Sequence, residues 1–303
     1  MKISIIICTY NRATSLRDTL RSLSEMNIPE SVECEIMIVD NNSKDDTREM
    51  VRGFISSSRC DCKYLFEPRQ GKAFALNRGI MSCGGDVLAF TDDDVLVDRQ
   101  WIREIAETFM VSEAVCVGGK VLPIWEGERP YWLTEQLLNV LAILDRGDEL
   151  FEFDWKGNSG MLFGVNFAFK RTFFAEHGLF NEKLGSRGED QEMFDRLRQG
   201  RATVIYNPRI VVHHRIPPER LTKSYFRKWY YDSGKARAKL EWQGRKIIGI
   251  PGYMIRKFIV VVRKFIYSVL LLNRDGIFYN ELWLIFYNSF FLGKVKQLIL
   301  KRI

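Results

Sequence analysis

The chain has 303 residues, 46% hydrophobic and 27% charged, the balance of an ordinary globular protein with room for one large domain or two small ones. Its charge is unevenly placed: residues 215–303 carry 19 Lys/Arg against 5 Asp/Glu, net +14, and residues 1–214 carry 26 against 33, net −7, which together give +7. The basic residues alternate with large aliphatics, which argues against a nucleic-acid partner, and of six scattered cysteines only Cys60-Asp61-Cys62 is close-spaced, too tight for ordinary zinc or redox motifs.

The cysteines read as reduced thiols. Ser4 to Cys8 reads as a strand buried on both faces, the pattern of a central parallel strand. It is too short for a signal peptide and leads straight into the polar turn Thr9-Tyr10-Asn11-Arg12. A helix follows, with Ser15 to Asp18 as a capping box and Leu16, Leu20 and Leu23 on one face. Glu35 to Val39 is the next strand and ends at Asp40. A helix over about 47–57 is expected to bury Met50, Val51, Phe54 and Ile55. Strand Lys63 to Phe66, helix Lys72 to Met81 and strand Val87 to Phe90 continue the series. This alternation predicts an α/β fold, a Rossmann-like and mostly parallel sheet with helices on both faces. Ligands of such sheets bind beyond the carboxyl ends of the strands. Tyr10, Asp40 and Asp92 fall there. The second half is less regular: a turn running into a strand over Gly157 to Phe169, a helix over Glu189 to Gln199, and strands at Thr203 to Tyr206 and Ile210 to His213. No Walker loop, G-x-G-x-x-G or H-E-x-x-H is present.

Three acidic clusters stand out: Asp40-Asn41, Asp92-Asp93-Asp94 and Glu189-Asp190. The middle one follows the apolar run Val87 to Phe90, so its carboxylates sit at the mouth of a buried strand. Such a cluster repels itself unless a cation neutralises it. Oxygen ligands at this density suit Mg²⁺ or Mn²⁺ better than zinc, and a hard cation held this way serves a phosphate-bearing substrate. A solvated acidic loop is the alternative, and the apolar residues before it argue against that. Taken alone, Asp40 fits a turn cap as well as a ligand contact. Glu189-Asp190 alone fits simple helix capping, since acids favour helix N-termini.

Taken in order, Ile-Ile-Ile-Cys-Thr-Tyr-Asn-Arg (5–12), Ile-Val-Asp-Asn-Asn-Ser (38–43), Phe-Thr-Asp-Asp-Asp-Val (90–95), Gly-Val-Asn (164–166) and Gly-Glu-Asp (188–190) resemble the family 2 glycosyltransferases, inverting enzymes of GT-A fold. The resemblance spans about residues 3–240. The segment Val-His-His-Arg-Ile-Pro-Pro-Glu-Arg (212–220), with Gly234 beyond it, resembles members that build cell-surface polysaccharides. Cys8 departs from the pattern, standing where the family usually has proline at a position that contributes mainly backbone. The resemblance implies a nucleotide-diphosphate sugar as partner, with Cys8, Tyr10, Arg12, Asp40, Lys72, Asp92, Asp93 and Asn166 around it. Tyr10 would stack on the base, and Asp40 would accept the imide N–H of uracil. Asp94 would hold a Mg²⁺ or Mn²⁺ ion bridging the phosphates, with Asp92 or Asp93 on the ribose or a second metal position. His214 would supply a metal or diphosphate contact, a structural imidazole being the equal alternative. Arg69, Gly71 and Lys72 would form a loop near the diphosphate, a solvated basic loop being the alternative. Asn166 would face the donor sugar. Trp125, Trp132 and Trp155 would stack on sugars or, by default, pack in the core. Asp190 would be the general base and Glu189 would orient the acceptor. One base without a partner nucleophile implies a single in-line displacement with inversion.

The chain is thus expected to divide into a catalytic domain, 1–240, and a basic helical tail, 241–303. The longest charge-free stretch of the tail, Leu282 to Gly293, has 12 residues, and a spanning helix needs about 20. Aromatic, apolar and cationic residues mixed at helical spacing suit a helix lying on an anionic membrane surface. Phe258, Phe265, Trp283 and Phe286 are the expected inserting residues. Packing on the core or on a second subunit is the alternative. The expected activity is transfer from a UDP-sugar to a hydroxyl of a membrane-held glycan or lipid-linked acceptor, in a cytoplasmic enzyme peripherally attached to the inner face of the plasma membrane. A polyprenyl-phosphate sugar transferase and a non-catalytic nucleotide-sugar-binding scaffold are the rival readings.

Overall fold

The computed structural model describes all residues except 59–60, 157–159, 185–186, 241–245, 248 and 301–303. Cys60 and the start of the expected turn at Gly157 lie outside the described residues. The chain divides into two compact units. The first comprises Met1–Ile124, Ala142–Glu182 and Glu189–Arg215. The second comprises Trp125–Leu141, Lys183–Gly188 and Ile216–Ile303.

In the first unit β1 (Lys2–Thr9), α1 (Ala13–Ser24), β2 (Glu33–Asp40), α2 (Thr47–Ser57), β3 (Asp61–Phe66), α3 (Lys72–Ser82) and β4 (Val87–Asp92) follow the expected alternation. Then come β5 (Val95–Val97), α4 (Trp101–Met110), β6 (Cys116–Trp125), β7 (Phe151–Glu152), β8 (Phe167–Lys170), α5 (Arg171–His177), α6 (Glu189–Gln199) and β9 (Val204–Ile216). Among the described residues these strands form one sheet in the order β3-β2-β1-β4-β8-β6-β9-β5, with β7 beside β9. β1 pairs in parallel with β2 and β4, and β2 with β3. Beyond β4 the sheet turns antiparallel, β8 pairing so with β4 and β6, and β9 with β5 and β7. The sheet is therefore mixed, not mostly parallel: the crossover helices that enforce parallel pairing end at β4. The two strands expected between Thr203 and His213 are one continuous β9.

Alternate residues of β1 face opposite layers, the period of two that a doubly covered strand requires. Ile3, Ile5 and Ile7 join Leu16, Leu20 and Leu23 of α1, Val51 of α2, and Trp101, Ile102 and Ile105 of α4. Ile6 faces the other way, with Leu76 and Ile80 of α3, Phe173 and Phe174 of α5, and Met193, Phe194 and Leu197 of α6. The capping box at Ser15 does not form. The helix starts two residues earlier, at Ala13, whose N–H donates to Asp45 Oδ2 at 3.1 Å, and Ser15 Oγ donates back to Arg12 O.

In the second unit α7 (Lys223–Lys239), the short ribbon of β10 (Lys246–Ile247) and β11 (Ile250–Pro251), α8 (Gly252–Leu270) and α9 (Arg274–Leu300) follow one another. α7 packs along α9, and α8 packs on α9. Gly234 is what lets α7 approach: a Cβ there would stand 2.2 Å from Phe286 O and 2.0 Å from Ser289 Oγ. The expected boundary at residue 240 accordingly falls inside this unit, because α7 shares its apolar face with α9. Phe258, Trp283 and Phe286, expected to insert in a membrane, pack instead around Ala238, Met254, Tyr287 and Phe290. Trp132 is buried against Phe226 and Phe278, as the core-packing alternative has it.

Candidate active site

Parallel register brings the carboxyl ends of β1, β2 and β4 level. Cys8 lies beside Val39 and Asp92, and Thr9 lies beside Asp40. The polar loops that leave these ends carry the acidic residues picked out in the sequence.

The cluster Asp92-Asp93-Asp94 is partly neutralised by two cations. Arg12 Nη1 donates to Asp93 Oδ1 at 2.9 Å and to Asp94 Oδ2 at 2.7 Å. Lys72 Nζ donates to Asp92 Oδ1 at 2.7 Å. Asp93 and Asp94 are buried, 5% and 6% exposed. Burial pushes the Asp93 carboxyl up to about 6 despite the Arg12 guanidinium, with Asp94 adding repulsion. His214 lies on β9 opposite Val95, and its Nε2 is 3.3 Å from Asp94 Oδ1. Among the described residues no group of three or more His, Cys, Asp or Glu side chains is arranged to hold a metal ion. The donor chemistry of Asp92, Asp94 and His214 does fit a hard divalent ion. In this structure Arg12 and Lys72 supply the countercharge that such an ion would bring.

Lys72 is the first residue of α3, not part of a solvated loop. Asn41 fixes the approach to it: its Nδ2 donates to Glu67 O and Arg69 O, its Oδ1 accepts from Gly71 N, and its backbone O accepts from Gln70 Nε2. Asn41 is thus a turn residue, and Arg69 is held by Glu67 through bonds of 2.8 and 3.0 Å. Burial draws the Lys72 ammonium down, but the charges of Asp92, Asp190 and Glu189 outweigh it and hold Lys72 well above its ordinary value. Lys72 therefore lies in the field of both acidic groups of the site. That link joins residues that are 118 positions apart in the chain.

Asp190 stands in the first turn of α6, whose N-terminal dipole favours acids. Its Oδ2 accepts the Gly164 N–H at 2.8 Å. A Cβ on Gly164 would come within 2.5 Å of Asp190 Oδ1, so only glycine leaves room for this contact. Asp190 Oδ1 and Glu189 Oε2 are buried and have no hydrogen-bond partner among the described residues. Burial first, then the adjacent Glu189 charge, push the Asp190 carboxyl up to about 7 against the pull of Lys72 and the Gly164 N–H.

Other expected contacts are placed differently. Asn166 is 1% exposed and does not face open space. Its Oδ1 accepts from Trp101 Nε1 at 2.8 Å, and its Nδ2 donates to Lys120 O and Ile210 O. Both Nδ2 hydrogens and an Oδ1 lone pair tie α4, β6 and β9 together, and with the side chain buried this corrects its reading as a sugar contact. Asp40 is 2% exposed and caps its own turn, Oδ1 accepting from Ser43 N at 2.8 Å and Oδ2 from Tyr64 O–H at 2.7 Å. Tyr10 is 47% exposed, open for stacking. Cys8 is half-buried. Its thiol is pushed up by burial and feels Lys72, Asp92, Asp93 and Glu189. Trp155 packs on Phe194, and its Nε1 donates to Ala202 O at 2.8 Å. Gly164 and Trp101 carry site and frame roles that the residue-by-residue reading missed. Gly164 stood in a quoted motif, whereas nothing local marks Trp101.

Comparison with known proteins identifies the family and the fold. The family model for Glycosyl transferase family 2 matches residues 4–178. The succinoglycan biosynthesis protein ExoM of Rhizobium meliloti is 28% identical over 244 residues, 79% of this chain and 75% of that one. The glucosyl-dolichyl phosphate glucuronosyltransferase of Haloferax volcanii is 26% identical over 226 residues, 71% of this chain and 70% of that one. Among solved structures, the mannosyltransferase PcManGT of Pyrobaculum calidifontis, in complex with GDP-Man and Mn²⁺, superposes with a TM-score of 0.58 at 18% identity, over 96% of this chain and 73% of that one. TarS of S. aureus in complex with UDP gives 0.56 at 18% identity, over 80% and 67%. The family match covers more than half of the sequence, and the chain belongs to glycosyl transferase family 2, with the GT-A fold.

Proposed function

We propose that this enzyme transfers a sugar, with inversion, from a UDP-sugar to a hydroxyl of a membrane-held glycan or lipid-linked acceptor. The observation that carries the reading is a pair of acidic groups, Asp92–Asp94 and Glu189-Asp190, that share the field of one half-buried lysine, Lys72. One group suits a nucleotide diphosphate and the other suits proton removal. Exposed Tyr10, open for stacking, supports a nucleotide base. The name of the Haloferax relative, which specifies a dolichyl-phosphate-linked glucose, supports a lipid-linked acceptor.

Asp190 Oδ1, the carboxylate oxygen left without a partner among the described residues, takes the proton of the acceptor hydroxyl as the oxygen attacks the anomeric carbon. The new C–O bond forms as the bond to the diphosphate oxygen breaks. A carboxyl raised to about 7 is matched to base catalysis near neutral pH. Gly164 N–H holds the other oxygen and so fixes the plane of the carboxylate. A Mg²⁺ or Mn²⁺ ion, held by Asp94 with Asp92 and His214, would neutralise the charge of the leaving diphosphate. Arg12 and Lys72 keep the three aspartates together before substrate arrives. The basic second unit supports peripheral attachment to the anionic cytoplasmic leaflet. Diphosphate release from a panel of nucleotide sugars, by the full chain and by Asp190→Asn, tests the proposal. Unimpaired transfer by the variant would favour a phosphate acceptor, which needs no base.

A further inference from the structure

We infer that α8 and the leucine turn at its C-terminal end form a lipid-docking surface for anionic phospholipid, and that Phe278, Tyr287 and Phe290 of α9 serve internal packing. The inference deepens the membrane-held acceptor proposed above and rests on it. α8 spans 19 residues and contains Arg256, Lys257, Arg263 and Lys264 and no acid. Its inner face is satisfied: Met254 is 4% exposed, and Phe258 and Val261 pack against the cluster of Tyr287 and Phe290. Its outer face is not.

Residues seven apart lie almost in line along a helix. Ile259 and Ile266 make one such row, 47% and 52% exposed, and Val260 and Tyr267 another, 48% and 64%. Arg256 with Arg263, and Lys257 with Lys264, make basic rows beside them. The helix then ends in Leu270, Leu271 and Leu272, which are 75%, 58% and 82% exposed. This turn is built. Leu272 N bonds Val269 O and Asn273 N bonds Ser268 O, with Leu272 at a left-handed φ of 51°. Such a φ is unfavourable for leucine, and the leucine side chain gains no burial in return. Three outward leucines next to a basic helix have the chemistry of an interfacial element: apolar side chains enter the acyl boundary while cations reach the headgroups.

Charge selects the occupant. A second copy of the same surface would oppose four cations with four cations, whereas an anionic leaflet complements them. Among the described residues no helix is long and apolar enough to cross a membrane, so the surface would lie on the bilayer. Three aromatics of α9, Phe278, Tyr287 and Phe290, point elsewhere and are buried with Leu282.

The test is co-sedimentation of the full chain with vesicles of phosphatidylglycerol and phosphatidylcholine, and of phosphatidylcholine alone, at low and high salt. Each well-placed cation contributes about fivefold to partitioning onto an anionic surface. Replacing Arg256, Lys257, Arg263 and Lys264 together by Gln should therefore lower binding to anionic vesicles by several hundred-fold at most, with the loss shrinking in salt. Leu270→Asn, Leu271→Asn and Leu272→Asn together should abolish the binding that survives high salt. Val111→Asn, at an 85% exposed position of the first unit, should change nothing. Hydrolysis of the nucleotide sugar without acceptor should be equal in all variants, which separates failure of docking from failure of the enzyme. If the full chain pellets but both α8 variants pellet equally well, the surface is misassigned while membrane association stands. If the full chain fails to pellet on anionic vesicles, membrane association itself is refuted. A dimer in solution that the leucine variant dissociates would make the face a subunit interface and overturn the inference.

Discussion

Asp190→Asn should abolish transfer and yet stabilise the fold, and the second effect can be sized from the structure. Burial and Glu189 raise the carboxyl from 3.8 to about 7 in the folded state. A raised carboxyl means that ionisation is harder in the folded chain than in the unfolded one. The wild type therefore loses stability as pH rises from about 4 to about 7, and the loss is complete above that. About three units correspond to at most about 4 kcal/mol. For a unit of this size, that is a rise of roughly 8–16 °C at most in Tm for the variant at pH 8. Asn keeps an oxygen to accept the Gly164 N–H, so the frame of the site remains. The assay is thermal unfolding of both proteins, metal-free, across pH 4 to 8. The Tm gap should open with pH and close below about 4. In parallel, wild-type kcat/KM should fall as pH drops below about 7, because the base becomes protonated. Transfer by the variant should drop by about 10²–10⁴ with nucleotide Kd unchanged. A variant no more stable than wild type at pH 8 would refute the reasoning.

Stripping divalent metal should stop transfer, and Mn²⁺ or Mg²⁺ should restore it. Asp94→Asn should lose activity while keeping its circular dichroism spectrum, and full turnover in EDTA would count against the metal assignment. Gly164→Ala should reduce kcat at least tenfold with nucleotide affinity kept, since its Cβ would meet Asp190 Oδ1; normal kcat would show that the contact is dispensable. Asn166→Ala should cost roughly 2–5 kcal/mol by leaving Trp101 Nε1 and two carbonyls unpartnered. Calorimetry decides that point, and a sugar-contact role would instead raise KM without lowering Tm.

The N-terminal βαβ series was legible because its signals are local: Ile3 to Ile7 alternate between two layers, and Asp40 and Asp92 close their strands. What escaped depends on distant partners. The start of α1 is set by Asp45, which reaches Ala13 from 32 positions away, not by Ser15 in the helix itself. Asn166 looked like a ligand contact because its motif is shared by the family, but its amide is spent on packing. The link from Lys72 to Asp190 needs the fold to bring α3 and α6 together. In the second unit, composition alone made Trp283 and Phe286 look exposed. Gly234 was noted without its physical reason, the close approach of α7 to α9. A truncation after residue 246 would accordingly strip α7 of its partner and uncover Phe226 and Tyr230.

The most direct test of the central claim is the anomeric configuration of the product. The full chain, supplied with Mn²⁺, its accepted nucleotide sugar and a hydroxyl-bearing acceptor, should release one nucleoside diphosphate per sugar transferred. NMR of the product should show a configuration opposite to that of the donor. Retained configuration would contradict a single displacement assisted by Asp190, and so would turnover undiminished by Asp190→Asn.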